Sequence, residues 1–218
     1  MTFNVEGFHR NNFYLTELLQ NLTPRLIFLQ EIWVPYSDEA AMNNMYPDYS
    51  IQISSPDMFT PPEDKLGSPN HTWHGSAVMW HTSLNSNITS IKTTHARFTG
   101  IRLSTQNINF LIISVYFPTS GKDDEYLECT GELANYVSEH RESNETIIIG
   151  TDSNCSDSFS PRRRLALQNL CQDLDLRKIT CSTPTFHHHN GTSESNIDYF
   201  LMSVKCTSKI INISKRCT

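Results

Sequence analysis

"IIIGTDSNC", residues 147–155, passes from three β-branched apolar residues to a carboxylate and a carboxamide within a few positions. Ile147, Ile148 and Ile149 run apolar without alternation between Glu145 and Gly150, the pattern of a central strand buried on both faces. A carboxylate at the end of such a strand is costly to desolvate unless it has a partner. In open α/β architectures those strand ends are where ligands sit. Asp152 and Asn154 therefore read either as groups that face a site or as an Asx-type turn closing the strand, which is the commoner use of such residues.

Outward from this strand the same arrangement recurs. Leu26-Ile27-Phe28-Leu29 is a second buried-strand run and ends in Gln30-Glu31. Asn109 to Tyr116 is a third, closing on Tyr116-Phe117-Pro118, and a short strand from Thr2 to Val5 carries Asn4 just before Glu6. Further strands are expected at Tyr49–Ile53, Ser76–Trp80, Ile88–Lys92, Gly100–Ser104, Ile197–Ser203 and Lys209–Ile213. Helical spacing of apolar residues, with Phe13, Leu15, Leu18, Leu19 and Leu22 in the first case, predicts helices before Pro24, over Ser37–Met45, Asp124–His140 and Arg162–Asp175. Clusters of strands between helices predict two packed sheets flanked by helices.

The chain has 218 residues, 25.0 kDa and 38% hydrophobic content, enough for one domain over residues 1–218 with a substantial core. No run of ~18 apolar residues suggests a membrane span, and the N-terminus lacks the basic-then-apolar form of a secretory signal. The six cysteines include no C-x-x-C pair, so the thiols read as reduced and the compartment as intracellular, the nucleus included. Sequons such as Asn21-Leu22-Thr23 arise easily in a chain this rich in Asn, Ser and Thr. A formal net charge of -6 lacks the basic footprint of a nucleic-acid binder, although a bound divalent cation would offset clustered carboxylates. Arg162-Arg163-Arg164, after Pro161, reads as a solvated helix end, with a phosphate contact as the sharper alternative.

Asn4, Glu6, Glu31, Tyr116, Asp152 and Asn154 each fall at or just past the end of an apolar strand, and Asp198 interrupts the start of "NIDYFLMS". Carboxylates interleaved with amides and a tyrosine supply oxygens for a hard divalent cation, donors for phosphate oxygens and a base for water.

"NVEGF", "LIFLQEIW", "SVYFPTS", "IIIGTDSN" and "TPTFHHHNGTSESNIDYFLMS", in this order along almost the whole chain, resemble the successive motifs of the endonuclease/exonuclease/phosphatase superfamily. Within it they look most like the apurinic-like endonuclease domains of non-LTR retrotransposons. The resemblance implies a four-layer α/β sandwich, two packed mixed sheets flanked by helices, and metal-dependent hydrolysis of phosphodiesters with Mg²⁺ or Mn²⁺. Carried over by position, it makes Glu31 a metal ligand, with Asn4 and Glu6 completing that cluster; Glu6 stands where several relatives have Asp. Asp152 would orient or deprotonate the attacking water, Asn154 would hold phosphate or water, and Tyr116 would approach the scissile phosphate. Asn4, Asn154 and Tyr116 would form the substrate contacts. Asp198 matches the aspartate that hydrogen-bonds a catalytic histidine in relatives.

That histidine belongs to a Ser-x-His motif one strand beyond "IDY", and no histidine follows Asp198 in this sequence. The expectation is therefore a domain that lacks its last core strand and is impaired in catalysis. Thr119 replaces an Asn that abasic-site endonucleases often carry. His187, His188 and His189 read as a solvated loop, His74 and His81 as strand-end residues, and Trp73 and Trp80 as packing. DNA is the implied ancestral substrate, with no membrane and no obligate protein partner. The competing reading is a non-catalytic remnant or binding module that keeps the fold.

Overall fold

The computed structural model describes residues 1–59, 74–93, 95–119, 121–155, 160–181, 183–187 and 194–209. Strand β1 (Thr2–Asn4) leads through a short turn into helix α1 (Phe8–Leu22). The helix buries Phe8, Leu15 and Leu19 and stops at Thr23, whose left-handed φ of 42° precedes a proline that cannot extend it. Phe13 is 67% exposed, because two residues of helix turn it to the face opposite Leu15. Next come β2 (Leu26–Gln30), α2 (Glu39–Met45), β3 (Tyr49–Ser54) and β4 (Ser76–His81). These strands form one sheet in the order β1-β2-β4-β3, with β1 and β2 parallel and the other pairs antiparallel.

The second sheet has six strands. They are β5 (Ile88–Ser90), β6 (Phe98–Ser104), β7 (Asn109–Tyr116), β8 (Thr146–Asp152), β9 (Leu176–Ile179) and β12 (Asp198–Ser203), in the order β5-β6-β7-β8-β12-β9. Only β7 and β8 are parallel, and α3 (Asp123–His140) connects them. Helix α4 (Pro161–Asp173) joins β8 to β9, and a two-residue ladder pairs β10 (Phe186–His187) with β11 (Glu194–Ser195). The expected four-layer architecture of two mixed sheets and flanking helices is what the chain forms. One core lies between the first sheet and α1 and α2, one between the sheets around Phe28, Val78 and Ile112, and one between the second sheet and α3 and α4.

Strand β9 escapes sequence reading because "LRKI" alternates too little and sits at a sheet edge with Arg177 and Lys178 outward. The strand expected over Lys209–Ile213 differs where it is described: Lys209 closes a 3₁₀ turn over Val204–Lys209, and residues 210–213 lie outside the described residues.

The glycine that ends the isoleucine run has a packing cause. Phe28, between the sheets, occupies the place where a Cβ on Gly150 would stand, and Gln30 of the same strand donates to the Gly150 carbonyl at 3.4 Å. Gly150→Ala is expected to push the sheets apart locally and cost about 1–3 kcal/mol. Urea denaturation measures this, and a change below ~0.5 kcal/mol would contradict the packing account.

Three buried hydrogen bonds also tie sheet to sheet. Gln30 Nε2 donates to Ser114 Oγ at 3.0 Å, Ser114 Oγ donates to the Leu29 carbonyl at 2.9 Å, and Ser76 Oγ lies 2.8 Å from Thr99 Oγ1. With their hydrogen bonds made, such groups are cheap to bury and fix one lateral position of the sheets.

Candidate active site

The ends of β1, β2, β7 and β8 and the start of β12 meet at one rim of the sandwich. Register explains why: Asn4 pairs with Gln30, Tyr116 with Asp152, and Asp198 with Asp152. Asn4 Nδ2 donates to Glu31 Oε1 at 2.7 Å and to Asp152 Oδ2 at 2.8 Å, so one amide joins carboxylates from the two sheets. Its Oδ1 accepts from the Glu6 backbone N–H at 3.0 Å. Asp152 is buried, and its Oδ1 accepts from Asn154 N–H at 3.2 Å. The turn reading of the strand end holds, and the same carboxylate lies on the rim against Asn4. Asn154 Nδ2 donates to the Phe117 carbonyl at 2.9 Å and holds the two loops beyond β7 and β8 together.

Backbone geometry marks the same rim. Positive φ occurs at Glu6 (44°), Glu31 (53°), Trp33 (49°), His74 (84°) and Asn154 (45°). Each costs of order 1–3 kcal/mol, and residues held this way cluster where surrounding structure enforces a functional geometry.

The electrostatics show a site short of positive charge. Burial raises the Glu31 pKa, with Asn4 opposing and Glu6 adding to the rise. Burial and then repulsion from Asp198 raise Asp152 well above the usual carboxylate range. Tyr116 is pushed up by burial and by Glu31 and Asp152, and its hydroxyl is hydrogen-bonded to Glu31. Among the described residues no three His, Cys, Asp or Glu side chains form a compact metal-binding group. The carboxylate oxygens nevertheless suit a hard cation: Glu31 and Asp152 are both raised first by burial and then by neighbouring carboxylates, and the Asn4 Nδ2 amide lies between them.

Sequence reasoning therefore placed Asn4, Glu31, Tyr116, Asp152, Asn154 and Asp198 on one rim, and the structure brings them together there, with Glu6 exposed at its edge. It missed two neighbours. His74, expected to be an ordinary strand-end residue, stacks on Tyr116 with ring centroids 5.6 Å apart, and burial followed by Arg97 lowers its pKa to about 4. Arg97 lies with its guanidinium carbon 5.3 Å from the Tyr116 ring centroid, and its Nη1 is buried without a hydrogen-bond partner. Neither carried a signal, since each is a lone polar residue just before a strand. Trp80 packs between the sheets as expected; Trp73, His188 and His189 lie outside the described residues.

The basic run differs most from expectation. Arg163 is 1% exposed, and neither a solvated helix end nor a phosphate contact describes it. Its Nε donates to Asp123 at 2.6 Å, Nη1 to the Pro118 and Asn154 carbonyls at 3.0 and 3.2 Å, and Nη2 to the Thr119 carbonyl at 2.6 Å. The guanidinium carbon lies 4.8 Å from the Tyr126 ring centroid. Arg162 and Arg164 are exposed, and Arg162 pairs with Asp124 at 3.0 Å.

The model of the endonuclease/exonuclease/phosphatase family matches residues 1–209. The endonuclease domain of TRAS1, a telomere-specific non-LTR retrotransposon, is similar in structure with a TM-score of 0.67 and 15% identity, over 95% of this chain and 85% of that one. An AP endonuclease, LMAP, from Leishmania major gives 0.66 and 14%, over 95% and 79%. The 3′ phosphatase NExo from Neisseria, bound to product DNA hairpin, gives 0.67 and 15%, over 95% and 87%. A comparison with curated protein sequences finds no match.

Proposed function

This chain belongs to the endonuclease/exonuclease/phosphatase family, and from that premise we propose that it hydrolyses phosphodiesters of DNA with a divalent cation, Mg²⁺ or Mn²⁺, and is of retroelement origin. The observation that carries the reading is the Asn4 amide bonded to both Glu31 and Asp152, which sets an acidic pair at the meeting point of the sheets. The DNA-acting proteins among the structural neighbours support the choice of polymer. No helix among the described residues is long and apolar enough to cross a membrane.

Glu31, with Glu6 and Asn4 beside it, would hold the cation, which when bound supplies positive charge to the phosphate. Asp152 takes the proton from the attacking water: its raised pKa makes it a better base than an exposed carboxylate while Asn4 and Asn154 fix its direction. Asp198, opposite Asp152 in the sheet, sustains that basicity by repulsion. Tyr116 turns its hydroxyl from Glu31 toward a phosphate oxygen, and Asn154 offers its remaining amide N–H to the same group. A plasmid-nicking assay with Mg²⁺ tests the reading. Nicking that EDTA abolishes supports it, and an inert chain that still binds DNA supports the remnant reading instead.

Metal should also stabilise the fold. At a hundredfold excess over Kd the gain is about 2.7 kcal/mol, a Tm rise of roughly 5–10 °C for a chain of this size. The pH dependence follows from the raised carboxylates. Their folded pKa exceeds the unfolded one, so the penalty for charge is present above the folded pKa and vanishes as pH falls through it. Protons and metal compete, and the Tm gain should be larger at pH 8 than at pH 6. Glu31→Ala should abolish it; a gain that survives this change removes the metal assignment.

A further inference from the structure

Directly beneath the rim, Gln30 is fully buried, and its side chain crosses from the first sheet to the second. Its Nε2 donates to Ser114 Oγ of β7 at 3.0 Å and to the Gly150 carbonyl of β8 at 3.4 Å, while its Oε1 accepts from Thr2 Oγ1 of β1 at 3.2 Å. Positions two apart on a strand share a face. Thr2, Ser114 and Gly150 therefore stand one row behind Asn4, Tyr116 and Asp152. The register agrees, since Ser114 pairs with Gly150 as Tyr116 pairs with Asp152, and Asn4 lies beside Gln30. One carboxamide thus bonds to the residue behind each of three site residues, and Glu31 follows it in the chain.

Packing gives no reason for this residue. Methionine, of the same length, would fill the space without an amide to desolvate, and the apolar contacts around Phe28 that hold the sheets together carry no direction. Hydrogen bonds do. We propose that Gln30 is a positioning residue for the reaction: by bonding β1, β7 and β8 from β2, it sets the offset of the two sheets at which the Asn4 amide reaches Glu31 and Asp152 together. That amide makes its two bonds at 2.7 and 2.8 Å. A slide of ~1 Å takes one of them out of range, and a misplacement of that size costs about 10²-fold in turnover. The inference rests on the phosphodiester reading and names the side chain that keeps its acidic pair in place.

Gln30→Met tests it in the full chain. The change nearly conserves volume, leaves Ser114 its bond to the Leu29 carbonyl at 2.9 Å, and strands only the half-buried Thr2 hydroxyl, so the fold should survive. The control is Leu19→Ala, a buried residue roughly 16 Å beyond Phe8 along α1, which should lower Tm at least as far. At a temperature where all forms are folded, Gln30→Met should nick plasmid DNA with Mg²⁺ about tenfold more slowly, through kcat with KM for DNA unchanged. Ser114→Ala on the same background removes the remaining tie from β7 and should deepen the loss to about 10²-fold. Mn²⁺ affinity, read from the paramagnetic resonance of the free ion, should fall about tenfold in Gln30→Met. Leu19→Ala should keep both quantities within about twofold of the parent. Parental turnover and Mn²⁺ affinity in Gln30→Met, or equal losses in Leu19→Ala, would overturn the assignment. If the parent does not nick DNA but Gln30→Met alone weakens Mn²⁺ binding, the positioning role stands and the hydrolytic reading falls; a parent that neither nicks DNA nor binds Mn²⁺ overturns both.

Discussion

Asp152→Asn is expected to lower phosphodiester hydrolysis by about 10²–10⁴-fold while leaving the fold in place. The substitution keeps the shape of the side chain and one oxygen, so the contact from Asn4 Nδ2 or the one from Asn154 N–H at 3.2 Å can persist. What is lost is the capacity to take a proton. It also removes the charge opposed by burial, Asp198 and Glu31, so the metal-free variant should be as stable as the parent or more so. The two readouts therefore move in opposite directions, which a merely structural Asp152 would not produce. Steady-state hydrolysis with a denaturation curve decides; a rate within fivefold of the parent assigns the base elsewhere.

Arg163→Met should be the most damaging single change to stability, at about 3–5 kcal/mol. It leaves Asp123 with Ser160 alone and frees three carbonyls, those of Pro118, Thr119 and Asn154, in a largely enclosed place. Arg163→Lys should recover little, because a point charge cannot reach the directions that the planar fork serves. The same bonds anchor the loops after β7 and β8, so the surviving folded protein should also lose turnover. Chemical denaturation of both variants measures the effect. A lysine variant within ~1 kcal/mol of the parent would reduce Arg163 to a simple ion pair.

How much of this was legible in sequence depended on contrast. Glu31 and Asp152 stand out because each follows an apolar run that ends abruptly, and burial of the run fixes where the polar residue must emerge. Asn4 is legible only beside them. Arg163 is not, since three adjacent arginines look alike until a helix turns one of them inward between two loops. Arg97 reaches Tyr116 through the β6–β7 hairpin, and His74 reaches it from the opposite sheet, a contact that no local pattern encodes. Gln30 looks like a strand end but reaches across the sheets, an outcome decided by Gly150 and Ser114 on the other side.

The bond between Asn4 and Asp152 spans 148 positions of sequence. Contacts of such separation carry the largest loop-closure entropy and form late in folding. During synthesis the N-terminal sheet can assemble while β8 is still to be made, yet the acidic pair does not exist until both sheets have docked. The centre proposed for hydrolysis is thus completed only when the two sheets dock, and forms in which they have not docked lack it.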